Sequence, residues 1–105
     1  MLEQRVKPRF SFQQPVVIRV RSESGWRQFQ GITQNASAVG VFFITYSLIP
    51  VGSDVDLTVA MPHDVRVSAH GKVVRVEPRA DDGKIGIAVQ CSAPFDELLV
   101  SRHAQ

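Results

Sequence analysis

From Pro15 onward the chain alternates in short runs. PVVIRV (15–20) sets Val16, Ile18 and Val20 against Val17 and Arg19. A period of two predicts a half-buried strand, and Pro15 stands at its start, where a missing amide donor is tolerated. RSESG (21–25) is turn material, and WRQFQGITQ (26–34) predicts a second strand whose alternation is imperfect. GVFFITY (40–46), β-branched and aromatic, predicts a third strand buried on both faces. IPVGS (49–53) then turns the chain into DVDLTVAM (54–61), with Val55, Leu57, Val59 and Met61 on one face and Asp54, Asp56 and Thr58 on the other.

After PHD (62–64), the segment VRVSAHGKVVRVE (65–77) predicts a fifth strand, long enough that Gly71 is expected to mark a bulge or bend. ADDG (80–83) carries the Asp-Gly signal of a tight hairpin, and KIGIAVQ (84–90) predicts the sixth strand, with Ile85, Ile87 and Val89 on one face. Six strands with turn signals at short intervals predict an antiparallel barrel or sandwich. The period then changes. In SAPFDELLVSR (92–102), Ser92 suits an N-cap, Pro94 the first turn, and Asp96 and Glu97 the positive helix end. Phe95, Leu98 and Leu99 fall at helical spacing, so a short C-terminal helix is expected to lie against the strands.

A chain of 105 residues holds one compact domain, and 44% hydrophobic with 21% charged residues is a globular composition. No apolar run approaches the ~20 residues that span a bilayer, and no signal segment is visible, so a soluble, cytoplasmic protein without membrane insertion is expected. The single cysteine, Cys91, cannot form an internal disulfide. No heptad run specifies an oligomer. Net charge is only +2, which argues against a general DNA or RNA binder. Its distribution is uneven: residues 1–40 hold six Lys/Arg against two Glu, and residues 41–105 hold six against eight Asp/Glu. An anionic partner would be steered to the first part of the chain.

Catalytic machinery is not visible. His63, His70 and His103 are scattered, without a second His or Cys at metal spacing. The carboxylate pairs, Asp54/Asp56 on the polar face of a strand and Asp81/Asp82 in a turn, lack the apolar setting that raises a pKa for acid–base work. Neither a phosphate-binding Gly-rich loop nor a nucleophile elbow is present. A non-enzyme is expected. A single-strand nucleic-acid surface would need several exposed aromatics among cations, whereas Trp26, Phe29, Phe42, Phe43 and Tyr46 all fall in expected strands, where core packing is the expectation.

Two short motifs remain. QRVKPRF (4–10) places Arg5, Lys7 and Arg9 ahead of the first strand, as Arg-x-x-x-Arg. QNASAVGVFF (34–43) contains Asn35, Ser37 and Gly40 as Asn-x-Ser-x-x-Gly. Asn, Ser and Gly are also ordinary tight-turn residues. Small side chains with two short polar groups would, in addition, let a flat ligand approach the backbone. Arg75 and Arg79 make a second Arg-x-x-x-Arg late in a strand, with Glu77 between them.

The order of these elements resembles the PilZ domain family: Arg5 and Arg9 in the leader, NASAVG one strand pair later, then LIPVGSDVDLTVAMP and GKVVRVE followed by KIGIAVQ. The resemblance covers roughly residues 3 to 100, and the Arg75/Arg79 pair has no counterpart in it. It implies a six-stranded antiparallel split β-barrel: a flexible basic leader (1–11), the barrel (12–91) and a C-terminal helix (92–102). It also implies binding of cyclic di-GMP, usually as a stacked dimer. Arg5 and Arg9 would grip phosphates and guanine edges, Asn35 and Ser37 would contact a guanine or phosphate, and Gly40 would permit the backbone geometry. Lys7 and Gln4 are secondary candidates, Lys7 for steering. The expected role is a stand-alone receptor, with no cofactor, that orders its leader over the ligand and relays the signal to an effector protein. The alternative is a ligand-independent adaptor of the same fold.

Overall fold

The computed structural model describes residues 10–11, 13–37, 39–79 and 82–92. Each of the six expected strands is present, preceded by a two-residue strand: β1 (Phe10–Ser11), β2 (Pro15–Ser22), β3 (Gly25–Ser37), β4 (Gly40–Thr45), β5 (Asp54–Ala60), β6 (Arg66–Pro78) and β7 (Ile85–Cys91). All pairings are antiparallel. The order β3-β2-β5-β6-β7-β4 closes through a β3–β4 ladder, giving a six-stranded barrel. The expected helix over 92–102 lies, beyond Ser92, outside the described residues.

The alternation seen along the chain is what closes the barrel. Val16, Ile18 and Val20 of β2, Val55, Leu57 and Val59 of β5, and Ile87 and Val89 of β7 are all buried. Phe43 fills the centre at 0% exposure. Such a side chain contributes about 1.5–3 kcal/mol by leaving water. On the outer face the charged positions pair along the register. Asp54 meets Lys72 at 3.4 Å, and Asp56 meets His70 Nδ1 at 2.7 Å. The carboxylate pair of the sequence is therefore a set of exposed ion pairs between β5 and β6.

Strand β3 is long because it serves two neighbours. Its residues 25–32 pair with β2 and its residues 31–37 with β4 on the opposite edge. Beyond Ile32 the β2 side of β3 is taken by β1, with Phe10 opposite Ala36 and Ser11 opposite Asn35. Thr33 secures this junction. Its amide donates to Gln14 O at 2.9 Å, and its Oγ1 accepts from Gln14 N at 2.8 Å.

Two details differ from the sequence reading. The irregularity expected at Gly71 falls at Val74, where the β6–β7 register shifts between Val73 and Arg75. Gly71 stays in the ladder, and glycine suits it because a Cβ there would lie 2.7 Å from Val89 Cγ1 and closer still to Gln90 O. The aromatic residues also divide. Phe43 is core, whereas Trp26 is 45% and Tyr46 69% exposed, and Phe29 and Phe42 are half-buried. Trp26 sits on the outer face of the β2–β3 hairpin, with the guanidinium carbons of Arg19 and Arg21 at 4.8 and 5.8 Å from its ring centroid. Cation–π contact keeps that indole on the surface. It stands as a single ring rather than the row of stacking platforms that a nucleic-acid strand requires.

Candidate functional site

The Asn-x-Ser-x-x-Gly segment is a strand end, a tight turn and a strand start, rather than a loop between strands. Asn35 and Ser37 belong to β3 and Gly40 opens β4. The β3–β4 register shifts between Thr33 and Asn35. One extra residue there reverses the facing of the rest of the strand. Thr33 points into the core opposite Phe43, while Asn35 pairs with the outward Phe42 and Ser37 with Gly40. Ser37 is 7% exposed, and its Oγ accepts from Val39 N at 3.4 Å, closing the turn.

Gly40 is explained by proximity. Its φ is not in the left-handed region, where the described glycines are Gly25, Gly52 and Gly83. A Cβ at Gly40 would instead overlap the carbonyl oxygen of Val89 on β7. The motif glycine thus lets β4 close on β7, which carries the other half of the outer face.

Across that face the registers align residues in rows. Asn35, Phe42, Ala88 and Arg75 lie side by side on β3, β4, β7 and β6, and Ser37, Gly40, Gln90 and Lys72 form the next row. Three strand spacings separate the ends of each row, about 14 Å. Between the rows runs a trough of about 190 Å³, touching Ser37, Gly40, Phe42, Val74, Arg75, Ala88 and Gln90. A larger groove of about 790 Å³ lies further along β3, over Val17, Ile32, Gln34, Ile44 and Tyr46, with Arg79, Asp82 and Lys84 at its rim.

Gln4, Arg5, Lys7 and Arg9 lie outside the described residues. The next residue in the chain is placed: Phe10, directly after Arg9, stands opposite Ala36, between Asn35 and Ser37. Among the described residues no cluster of His, Cys, Asp or Glu could hold a metal, and no helix is long and apolar enough to cross a membrane. The Cys91 thiol is pushed up to about 11 from 9.0 by burial, which suits an inert core-edge residue rather than a nucleophile.

The PilZ domain family model matches residues 3–101, nearly the whole chain. The chain belongs to the PilZ domain family. Two solved PilZ-fold structures share its barrel. The PilZ domain of YcgR from Escherichia coli, determined with c-di-GMP, matches with a TM-score of 0.71 and 14% identity, over 96% of this chain and 88% of that one. Bacillus subtilis MotI/DgrA, an inhibitor of motility, matches with a TM-score of 0.70 and 14% identity, over 99% of this chain. This PilZ domain spans 54% of the length of MotI/DgrA. No curated protein sequence matches the chain.

Sequence reasoning misses Arg75 and Phe42 as members of this face. In the sequence Arg75 is only half of a stray Arg-x-x-x-Arg. Alternation counted through VVRVE places Arg75 on the same face as Val73, and only the bulge at Val74 turns it outward. The two adjacent valines of KVVRVE are the one local sign of that extra residue.

Proposed function

We propose that this PilZ domain is a cyclic di-GMP receptor, with Arg5 and Arg9 supplying charged forks and Asn35 and Ser37 the facing polar wall. The observation that carries this is the β1–β3 register. The chain leaves the Arg-x-x-x-Arg leader and pairs at once with the strand that bears Asn35 and Ser37. The YcgR PilZ domain with c-di-GMP supports the choice of ligand.

The chemistry rests on the groups themselves. Guanine presents N7 and O6 as adjacent acceptors, which a guanidinium fork meets with two parallel bonds, and the same fork pairs with phosphate. A charge-assisted bond contributes on the order of 1.5–3 kcal/mol, so two arginines supply much of the ~8 kcal/mol of a micromolar site. Lys7 adds attraction to phosphates without a fixed contact, and Gln4 is a secondary neighbour of Arg5. Holding the leader against β3 gives a partner protein a surface that depends on ligand. The domain therefore acts as a receptor and relay rather than an enzyme.

Titration calorimetry with cyclic di-GMP tests the reading. Wild type should bind at micromolar concentrations or below. Arg9→Ala and Ser37→Ala should weaken binding at least tenfold, and Arg5→Lys and Arg9→Lys should fail nearly as badly as alanine. Absence of heat at tens of micromolar would favour the ligand-independent adaptor. For the relay, cleavage around Val6–Phe10 in limited proteolysis should slow when ligand is added, and unchanged cleavage would refute it.

A further inference from the structure

We propose that the open edge of β3 at residues 26–30 joins two copies of this chain, strand against strand, about a two-fold axis at Gln28, with Trp26 of each copy seated in the groove of the other. The contact lies at the far end of β3 from Asn35 and Ser37 and needs no nucleotide.

The pairing of the barrel itself leaves this edge open. β2 covers β3 from Gly25 to Ile32, but β4 ends with Thr45 opposite Gly31, so among the described residues no strand lies on the other side of 26–30. Parity decides which backbone groups face the gap. The Thr33 amide donates to Gln14 O on the β2 side, and counting back by two turns Gly31, Phe29 and Arg27 toward β2 as well. Trp26, Gln28 and Gln30 therefore aim N–H and C=O away from β2. The Gln30 carbonyl shows that direction, accepting from Thr45 Oγ1 at 2.7 Å. A carbonyl oxygen has a second lone pair, so it can still accept from another strand. Proline and bulges are common guards of an exposed edge, and residues 26–30 have neither. Trp26, Arg27, Gln28 and Gln30 are all exposed.

The edge also complements itself. A two-fold axis at Gln28 sets Gln28 against Gln28 of the second copy and Trp26 against Gln30, each pair exchanging two N–H···O bonds. Gln30 lines the groove of about 790 Å³ whose apolar wall is Val17, Ile32, Ile44 and Tyr46. Trp26 and Gln30 share the outer face, so the 45% exposed indole of each copy meets the groove of the other. On the opposite face Arg27 stands against Phe29 of the second copy. That repeats the cation–π contact the two residues make within one chain at 5.4 Å. Glu23, the one acid of the β2–β3 hairpin, comes toward the groove rim that carries Arg79 and Lys84. Other axes fit worse. An axis at Arg27 would oppose two guanidiniums, and an axis at Phe29 would set Trp26 against Ile32, whose edge Ile44 already holds. Because the same patch serves both copies, the contact closes at a dimer.

Sedimentation equilibrium without nucleotide, from micromolar chain to about 1 mM, tests this on wild type, Gln28→Pro and Trp26→Ala. Position 28 is exposed and its amide bonds nothing in β2, and Trp26 is a surface ring, so both variants should melt near wild type. Wild type should pass from monomer to dimer over this range, and each variant should weaken the dimer at least about tenfold, Gln28→Pro by removing a donor and Trp26→Ala by removing the anchor. A second measurement avoids dependence on how the variants fold. Gln28→Cys places two thiols across the axis, on Cα atoms about 5.5 Å apart, and a short bismaleimide should join them far faster than it joins Ser68→Cys on the exposed outer face of β6. A wild type that stays monomeric to the highest concentration, a dimer unchanged by both variants, or equal cross-linking at 28 and 68 would each overturn the proposal. None of these results bears on nucleotide binding, so the receptor reading stands or falls separately.

Discussion

Gly40→Ala separates the two things a motif glycine can do. If Gly40 serves only the ligand, alanine there should leave the unliganded barrel unchanged. The structure requires the opposite. The new Cβ would lie against the Val89 carbonyl oxygen, well inside contact distance, and β7 is held on both edges by β4 and β6. A backbone oxygen inside a closed sheet cannot swing aside, so the β4–β7 pair must shift. Forced overpacking of this kind costs about 1–3 kcal/mol. The reduced entropy of the unfolded chain returns only about 0.4–1 kcal/mol. For a domain of this size, Tm should fall by roughly 5–15 °C. Two other glycines calibrate the argument. A Cβ at Gly31 would come 2.6 Å from the Ile44 carbonyl oxygen, again backbone, so Gly31→Ala should cost about as much. At Gly86 the obstacle is Phe42 Cζ at 2.5 Å, the far end of a half-buried side chain that can swing aside about χ1. Gly86→Ala should therefore be much milder in stability, while shifting the ring that walls the trough. Thermal melts followed by circular dichroism, with urea titrations to check that the m-value is constant, measure the series. A Gly40→Ala protein melting within 2 °C of wild type, or a Gly86→Ala protein melting lowest, would refute the close-approach reasoning.

Local geometry sets two further outcomes. His63 and Asp64 both hold positive φ, 64° and 61°, in the turn between β5 and β6, so Asp64→Gly should raise stability by about 1 kcal/mol, read as a higher Tm; a decrease would show that the Asp side chain supports the turn. With the Cys91 thiol raised from 9.0 to about 11, its thiolate fraction near neutral pH is about 100-fold below that of a free thiol, so iodoacetamide labelling of native protein should be slow and should speed up on denaturation. Equal labelling of native and denatured protein would refute it.

The barrel was legible because a closed antiparallel sheet writes its inside and outside as a period of two. Val16/Ile18/Val20 and Val55/Leu57/Val59 carry that period without interruption, and both sets are buried. The motif residues were legible as types at a spacing, not as a geometry. Asn, Ser and Gly in NASAVG predict a turn, and what they form is the end of one strand and the start of the next. The aromatic residues mislead for a related reason. Strand membership does not guarantee burial: an outward strand position near a hairpin tip leaves a ring in solvent, and the arginines beside Trp26 make that tolerable.

What alternation could not reveal was the effect of a single inserted residue. A bulge leaves composition unchanged and inverts the facing of everything after it. Counted strictly, Thr33 and Asn35 share a face, as do Val73 and Arg75. In the barrel Thr33 and Val73 are core, whereas Asn35 and Arg75 are outside, in one row through Phe42 and Ala88. The two inversions have the same physical cause. Straightening β3 would bury an amide where the core expects an apolar group, and straightening β6 would bury a guanidinium. Each is costly enough in a dry interior that the chain must bulge somewhere between the core residue and the polar one. Deleting Val74, the residue left unpaired between Val73 and Arg75, should accordingly yield a regular strand in which Arg75 stays outside and Val76 stays inside. The variant should stay folded and melt near wild type by circular dichroism, because Arg75 and Val76 both keep their faces, and a deletion variant that fails to fold would show that the bulge itself is needed to pair β6 with β7.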